Sequence, residues 1–332
     1  MPTRPLAILG AGNAATALAL LLAKKGRRVH LYCIEPDVEQ DINERACNSK
    51  YLAGVSLPRS IRAMSSLEQA VHQAEVVILA VPSFASRDVM AAATASLAPD
   101  VVIASITKGL DPKTLRPIAL EAMSCLPKSM QKRVCFIGGP AVANELAHHQ
   151  PAAFFIAGKD SHATKKLAHL FHSPSLKVAT STDIEGTGLC MALKNVYAIA
   201  LGMCDGLHYP MNSKALITAI AIEEMARILK ASKANQATAY TLAGLGDLLV
   251  TGFSPHGRNR TYGEKIVGSD FKDPLQLGMG TVEGIAATKS SLLLIKKLHV
   301  EAPLLQTIGK CLRQTSHFEK PFIGYLKTLR LS

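Results

Sequence analysis

The sequence predicts an α/β protein: a mostly parallel, doubly wound sheet followed by an all-helical C-terminal domain. Three observations carry this. Strand-length apolar runs alternate with helix-length runs through the first half of the chain. The first such pair is joined by a glycine turn, "GAGNAA", at residues 10–15. Past about residue 183 no strand-like run interrupts a series of helical segments. The change of texture near 178–184 divides the chain into expected domains of residues 1–182 and 183–332.

The elements follow in order. "PLAILG" reads as a short buried strand, "GAGNA" as a tight turn, and "ATALALLLAKK" as a helix with a basic last turn and Gly26 at its C′ position. "RRVHLYC" supplies the next strand and completes a βαβ unit. The eighteen uncharged residues from Leu6 to Ala23 imitate a signal sequence or a membrane span. Glycine and asparagine in their middle would break such a helix. Strand, glycine turn and helix in that order are instead the context of a Rossmann-like dinucleotide fingerprint. Gly10 permits the turn, Gly12 lets backbone approach a pyrophosphate, and Ala15 adds one methyl where a third glycine is usual.

After Cys33, "SLEQAVHQAEVVILAVPS" reads as helix, strand and loop, and "RDVMAAATASLAPDVVIASITKGL" repeats helix and strand, ending at Lys108. "TLRPIALEAM" is expected to be a helix, and "RVCFIGGPA" and "PAAFFIAGK" strands. In such sheets ligands collect beyond the C-terminal strand ends, where "AVPS", "ITKGL" and "GGPA" fall. "GTGLCMALKNVYAIALGMCDG" is apolar nearly all round and is expected to be a buried helix, while "NSKALITAIAIEEMARILKAS" and "VEGIAATKSSLLLIKKL" are amphipathic.

Composition narrows the function. The chain has 332 residues, 48% of them hydrophobic and 19% charged, which is ample for a globular core. Its net charge of +12 is spread over both halves rather than gathered on one element. With no tryptophan and 5% aromatics, this argues against a nucleic-acid surface and suits a small anionic substrate with a phosphorylated cofactor. Seven cysteines form no C-x-x-C pair and lack histidines at ligand spacing, so no metal site is expected.

Lys194 is the most informative single residue. It interrupts "CMALKNVYAIALGM", where desolvation would lower its pKa and make it a proton acceptor near neutral pH, although a lysine snorkelling past a helix end is the plainer alternative. Asp247, framed by glycines in "GLGD", either orients such a lysine or simply caps a helix. "GRNR" is either an exposed basic loop or a phosphate clamp through Arg258 and Asn259. Lys108 stands at the ligand edge of the sheet as an anion contact.

With these residues assembled, the chain resembles the bacterial type of NAD(P)-dependent glycerol-3-phosphate dehydrogenase. The likeness rests on "GAGNAATALA", "TKGL", "GGPAVANELA", "LKNVYAIALGMCDGL", "GLGDLLVT", "GRNRTYG" and "VEG" in that order along nearly the whole chain. It implies reversible hydride transfer between nicotinamide C4 and C2 of sn-glycerol 3-phosphate, with dihydroxyacetone phosphate as the keto partner. Lys194 matches the proton acceptor and Asp247 its polar neighbour, both touching substrate. Lys108 matches a contact to substrate and cofactor. Arg258 and Asn259 match the phosphate grip, with Arg258 also near the cofactor. Gly139 and Ala143 fall on the substrate and cofactor loop, and Thr281 and Glu283 where the family closes over the cofactor. The resemblance also implies a cytoplasmic homodimer without a membrane span, feeding phospholipid synthesis.

The sequence departs from the family at several positions. Where the turn usually reads Gly-Ala-Gly-Ser-aromatic-Gly it has Asn13, Ala14 and Ala15. A hydroxyl residue expected after "GP" is Ala141, and a serine expected before "RN" is Gly257. The basic residue that often follows the second strand and holds a 2′-phosphate is Ile34, beside Glu35, which would accept from a ribose 2′-hydroxyl. The cofactor is therefore NAD or NADP, with NAD weakly preferred. The two lost hydroxyls keep open a related dehydrogenase acting on another small anionic hydroxy compound, and a dinucleotide-binding redox sensor without turnover.

Overall fold

The computed structural model describes residues 3–330; the outer limits of the two expected domains, residues 1 and 332, lie outside the described residues. Among the described residues there are ten strands: β1 (Leu6–Leu9), β2 (Val29–Tyr32), β3 (Cys47–Asn48), β4 (Leu52–Ser56), β5 (Ile61–Met64), β6 (Val76–Leu79), β7 (Val102–Ser105), β8 (Val134–Gly138), β9 (Ala152–Gly158) and β10 (Leu176–Ser181). Eight form one sheet in the order β10-β9-β8-β7-β6-β1-β2-β5. All neighbours run parallel except β8 and β9, which are antiparallel. β1, β6 and β7 are buried at every position, as expected of central strands covered by helices on both faces.

The chain divides into two compact units. The first comprises residues up to Thr107 together with Ile118–Ile184, and the second comprises Lys108–Pro117 together with residues from Glu185 onward. Lys108 thus belongs with the helical unit, although it follows the strand β7 by only two intervening residues. The helix expected over "TLRPIALEAM" is confined to Ile118–Met123. Pro117 accounts for this, since the residue before a proline is pushed out of the helical region.

Within the sheet unit, the β1 turn is shaped by close approach. Gly10 has φ +122°, and a Cβ there would come within 2.9 Å of the Ala80 carbonyl oxygen at the end of β6. The helix Asn13–Ala23 follows, and Ala15 is 1% exposed, so its methyl is accommodated in the core. That helix ends before Lys24 and Lys25; the basic last turn expected from the sequence lies just beyond it, with Gly26 at φ +76°. A hairpin of β3 and β4, unforeseen from the sequence, is antiparallel and separate from the main sheet. Its Asn48 is wholly buried and donates to the Ala11 carbonyl (2.9 Å) and the Thr16 hydroxyl (2.8 Å), tying the hairpin to the glycine turn.

The second unit is built around the helix Ile184–Gly206. By length and composition it is apolar enough to cross a membrane, and its apolar 18-residue stretch is entirely buried inside the protein. Glycines let its neighbours come into backbone contact. The Arg260 carbonyl lies against Gly202, and the Ile199 carbonyl against Gly263, leaving no room for a Cβ at either glycine. Asp205 at the end of this helix accepts from Lys214 (2.9 Å) and Arg260 (2.6 Å), which joins it to the helices Met211–Ala231 and Arg258–Lys265. Buried Glu224 accepts from the Tyr197 hydroxyl (3.0 Å) and from the Leu304 and Leu305 amides (2.7 and 3.0 Å), anchoring the helix Pro303–Arg313 at its first turn.

Asn48→Ala removes the tie between hairpin and turn and takes from the Ala11 carbonyl its shorter side-chain hydrogen bond, leaving the one from the Thr16 hydroxyl at 3.3 Å. The expected loss is about 1–3 kcal/mol of stability, read as a lower urea midpoint at unchanged slope. An unchanged midpoint would show that the hairpin does not brace the turn.

Candidate active site

The helical unit places its most apolar helix around a lysine. Lys194 and Asn195 are 4% and 3% exposed on the helix Ile184–Gly206, within its buried apolar stretch. A lone ammonium in such a place is disfavoured by several kcal/mol on the order-of-magnitude scale of buried ions, and it requires a partner. Asp247 supplies it. The irregular turn Leu242–Gly246 delivers Asp247 as the first residue of the helix Asp247–Phe253, 4% exposed, with Oδ1 in an ion pair with Lys194 Nζ.

Burial pushes the Lys194 ammonium down to about 8, with the Lys108 cation adding to the depression. The Asp247 and Glu283 carboxylates pull in the opposite direction. Desolvation wins, so this lysine can exchange its proton close to neutral pH. Snorkelling is thereby set aside for Lys194, whose charged end stays inside the protein.

Around this pair the same unit gathers further polar groups. Asn195 Nδ2 donates to Glu283 Oε2 (3.3 Å), and Glu283 opens the helix Glu283–Leu298. The Gly284 amide donates to Asn259 Oδ1 (2.8 Å). Gly284 itself sits where a Cβ would be 2.6 Å from the Asn195 carbonyl. "GRNR" is the start of the helix Arg258–Lys265 rather than a loop, with Gly257 as its N-cap. Asn259 is buried there, while Arg258 is exposed and donates to the Thr281 carbonyl (3.4 Å). The structure therefore brings Lys194, Asp247, Lys108, Arg258, Asn259, Thr281 and Glu283 into one unit.

Gly257 has a local reason to lack a side chain. A Cβ at this position would run into the Thr251 carbonyl oxygen. The missing serine is thus a condition of how this backbone closes.

The remaining expected residues lie in the sheet unit. Gly12 is extended and caps the helix Asn13–Ala23 without any side-chain cap, and no acidic residue sits in its first turn. Its leading amides and the positive end of its dipole are left to meet an anion. Asn13 and Ala14 are exposed there. Such a turn, with Gly10 pressed against Ala80, fits a pyrophosphate. Past β2, Ile34 is 75% exposed, and the Glu35 carboxylate accepts from the Tyr51 hydroxyl (2.8 Å) and from Lys50. Those two bonds, Lys50 first, hold Glu35 below the usual carboxylate range. Past β8, Gly139 has φ +114°, and a Cβ would meet the Ala153 carbonyl at 2.6 Å. Ala141 and Ala143 pack half-buried against the core of the sheet unit.

Three residues escaped sequence reasoning. Asn195 carried a signal, being a second polar side chain in a run too apolar to face water. Lys50 and Thr251 carried none, since each matters only through a partner distant in sequence or through its carbonyl.

Two sequence models describing the NAD-dependent glycerol-3-phosphate dehydrogenase N-terminus and C-terminus match residues 5–164 and 183–322. A glycerol-3-phosphate dehydrogenase [NAD(P)+] of Desulfotalea psychrophila is 36% identical over 310 residues, covering 92% of this chain and 91% of its own. That of Bacillus subtilis is 34% identical over 312 residues, covering 93% and 90%. The crystal structure of a glycerol-3-phosphate dehydrogenase from Coxiella burnetii superposes with a TM-score of 0.88 at 31% identity, covering 98% of this chain and 99% of that one.

Gly257→Ser, which restores the serine the resemblance leads one to expect, should destabilise by about 1–3 kcal/mol because the added atoms meet backbone. Thermal unfolding of the variant reads this directly, and a raised or unchanged midpoint would mean that the Thr251 carbonyl yields freely.

Proposed function

The chain belongs to the NAD-dependent glycerol-3-phosphate dehydrogenase family, and from that premise we propose that it is an NAD(P)-dependent oxidoreductase interconverting sn-glycerol 3-phosphate and dihydroxyacetone phosphate. The observation that carries this reading is the buried Lys194–Asp247 pair, with the lysine held at about 8. A buried base poised there suits removal of a hydroxyl proton, whose departure must accompany loss of hydride from the same carbon.

The steps balance at Lys194. In oxidation, neutral Lys194 Nζ takes the proton of the C2 hydroxyl as the C2–O bond becomes a carbonyl. In reduction, the Lys194 ammonium returns that proton to the developing alkoxide. When bound, the nicotinamide supplies the hydride acceptor or donor. Asp247 positions Nζ and stabilises its charged form, and Lys108 favours the neutral form and attracts the anionic substrate. Arg258 and Asn259, in the first turn of their helix, grip the phosphate: the guanidinium fork matches its oxygens, and Asn259, its carbonyl end committed to Gly284, presents amide donors.

In the sheet unit, Gly10, Gly12, Asn13, Ala14 and Ala15 cradle the pyrophosphate, and Ile34 and Glu35 meet the adenosine ribose. Gly139, Ala141 and Ala143 serve the substrate and nicotinamide side, and Thr281 and Glu283 close over the cofactor. NAD is weakly preferred over NADP because the Glu35 carboxylate accepts from a 2′-hydroxyl and repels a 2′-phosphate. The chain acts as a cytoplasmic homodimer supplying glycerol phosphate for phospholipid synthesis.

Loss of NADH absorbance with dihydroxyacetone phosphate tests the activity, and absence of turnover alongside tight cofactor binding would favour the sensing alternative. Lys194→Ala should lower kcat by roughly a hundredfold or more while cofactor affinity stays near the parent value; a variant retaining most of its rate would exclude Lys194 as the base. The pH dependence has opposite signs in the two directions. Oxidation needs neutral Lys194, so its kcat should rise as pH passes about 8, whereas reduction needs the ammonium and should fall there. Arg258→Ala should chiefly raise KM for dihydroxyacetone phosphate, and an unchanged KM would remove it from the phosphate grip.

A further inference from the structure

We propose that Lys50, near the tip of the β3–β4 hairpin, sets the choice between NAD and NADP: clamped by Glu35 and Asp37 it is withheld from a 2′-phosphate, and once released it binds one. This rests on the reading that residues 10–15 hold a nicotinamide dinucleotide. The sequence places no basic residue just after β2, where Ile34 and Glu35 stand. The fold brings one in from the hairpin.

The hairpin is fixed for that purpose at two points. Asn48 ties it to the glycine turn through the Ala11 carbonyl and the Thr16 hydroxyl, and its Oδ1 accepts from the Tyr51 amide at 3.2 Å. Between those anchors, Lys50 Nζ is ion-paired with Glu35 and lies 3.4 Å from Asp37 Oδ2. The Tyr51 hydroxyl holds the other Glu35 oxygen at 2.8 Å, and its ring stands 5.6 Å from Lys50 Nζ. Two carboxylates against one ammonium leave this corner with one net negative charge. A ribose diol finds an acceptor there, whereas a 2′-phosphate meets repulsion unless the ammonium turns toward it. The Lys50 side chain is 47% exposed, so it has room to turn. Arg27 and Arg28 precede β2 and stand at its opposite end.

Calorimetric titration of the substrate-free protein with NADH and with NADPH separates the possibilities. The wild type should bind NADH more tightly. Glu35→Gln keeps the shape but removes the clamp's charge, and should shift the affinity ratio toward NADPH by roughly tenfold or more. Adding Lys50→Ala to that variant should abolish the shift, and Lys50→Ala alone should weaken NADPH more than NADH. A ratio unmoved by Glu35→Gln, or a shift that survives loss of Lys50, overturns the proposal while leaving the dinucleotide reading intact. A wild type that binds neither nucleotide overturns both.

Discussion

The arrangement of the helical unit turns on one buried ion pair. Taking Lys194 out of water is unfavourable by an amount that no apolar contact offsets, and leaving Asp247 buried alone would be equally unfavourable. Each makes the other tolerable. The pair therefore fixes where the helix Asp247–Phe253 begins relative to the helix Ile184–Gly206, and the short irregular turn Leu242–Gly246 is the backbone's means of meeting that demand. Because desolvation outweighs the attraction of Asp247, the same pair that organises the packing leaves a proton exchangeable near neutral pH.

Close packing of backbone then surrounds the pair with polar groups. At Gly202, Gly263 and Gly284 a neighbouring carbonyl occupies the space a side chain would need. These contacts draw the starts of the helices Arg258–Lys265 and Glu283–Leu298 onto the helix that carries Lys194. Their first turns, where unpaired amides concentrate, become the places that carry Asn259 and Glu283. Gly257 belongs to the same logic, since the turn before Arg258 closes onto the Thr251 carbonyl. A hydroxyl lost there is exchanged for a tighter backbone.

Much of this was legible in the sequence because it is written in periodicity and in contrast. Parallel strands read as apolar runs, and a lysine stands out in "CMALKNVYAIALGM" because everything near it is apolar. Features made by distant pairing left no such trace. The β3–β4 hairpin is short and mixed in polarity, so nothing in residues 47–56 announces that Asn48 reaches the glycine turn or that Lys50 reaches Glu35. The antiparallel pairing of β8 with β9 is equally silent, because both strands are apolar whichever way they run. Lys108 looked like a sheet-edge residue, yet the segment it opens packs with the helices, a matter of tertiary contact alone.

A second buried polar cluster on the same helix shows why chemistry belongs at Lys194. Three residues on, Tyr197 donates to Glu224, which also accepts from two backbone amides. Burial and the adjacent carboxylate push the Tyr197 phenol well above its ordinary value, so it keeps its proton throughout the physiological range. Glu224 has its oxygens filled by three donors, and burial raises its own pKa. The phenol is shifted away from neutrality and the carboxyl is held in place by its three donors, which is what a brace requires. Burial acts on Lys194 with the opposite consequence, since for a cation desolvation moves the pKa down toward neutrality. One physical effect on one helix thus makes a strut of the Tyr197 phenol and a working base of the Lys194 amine.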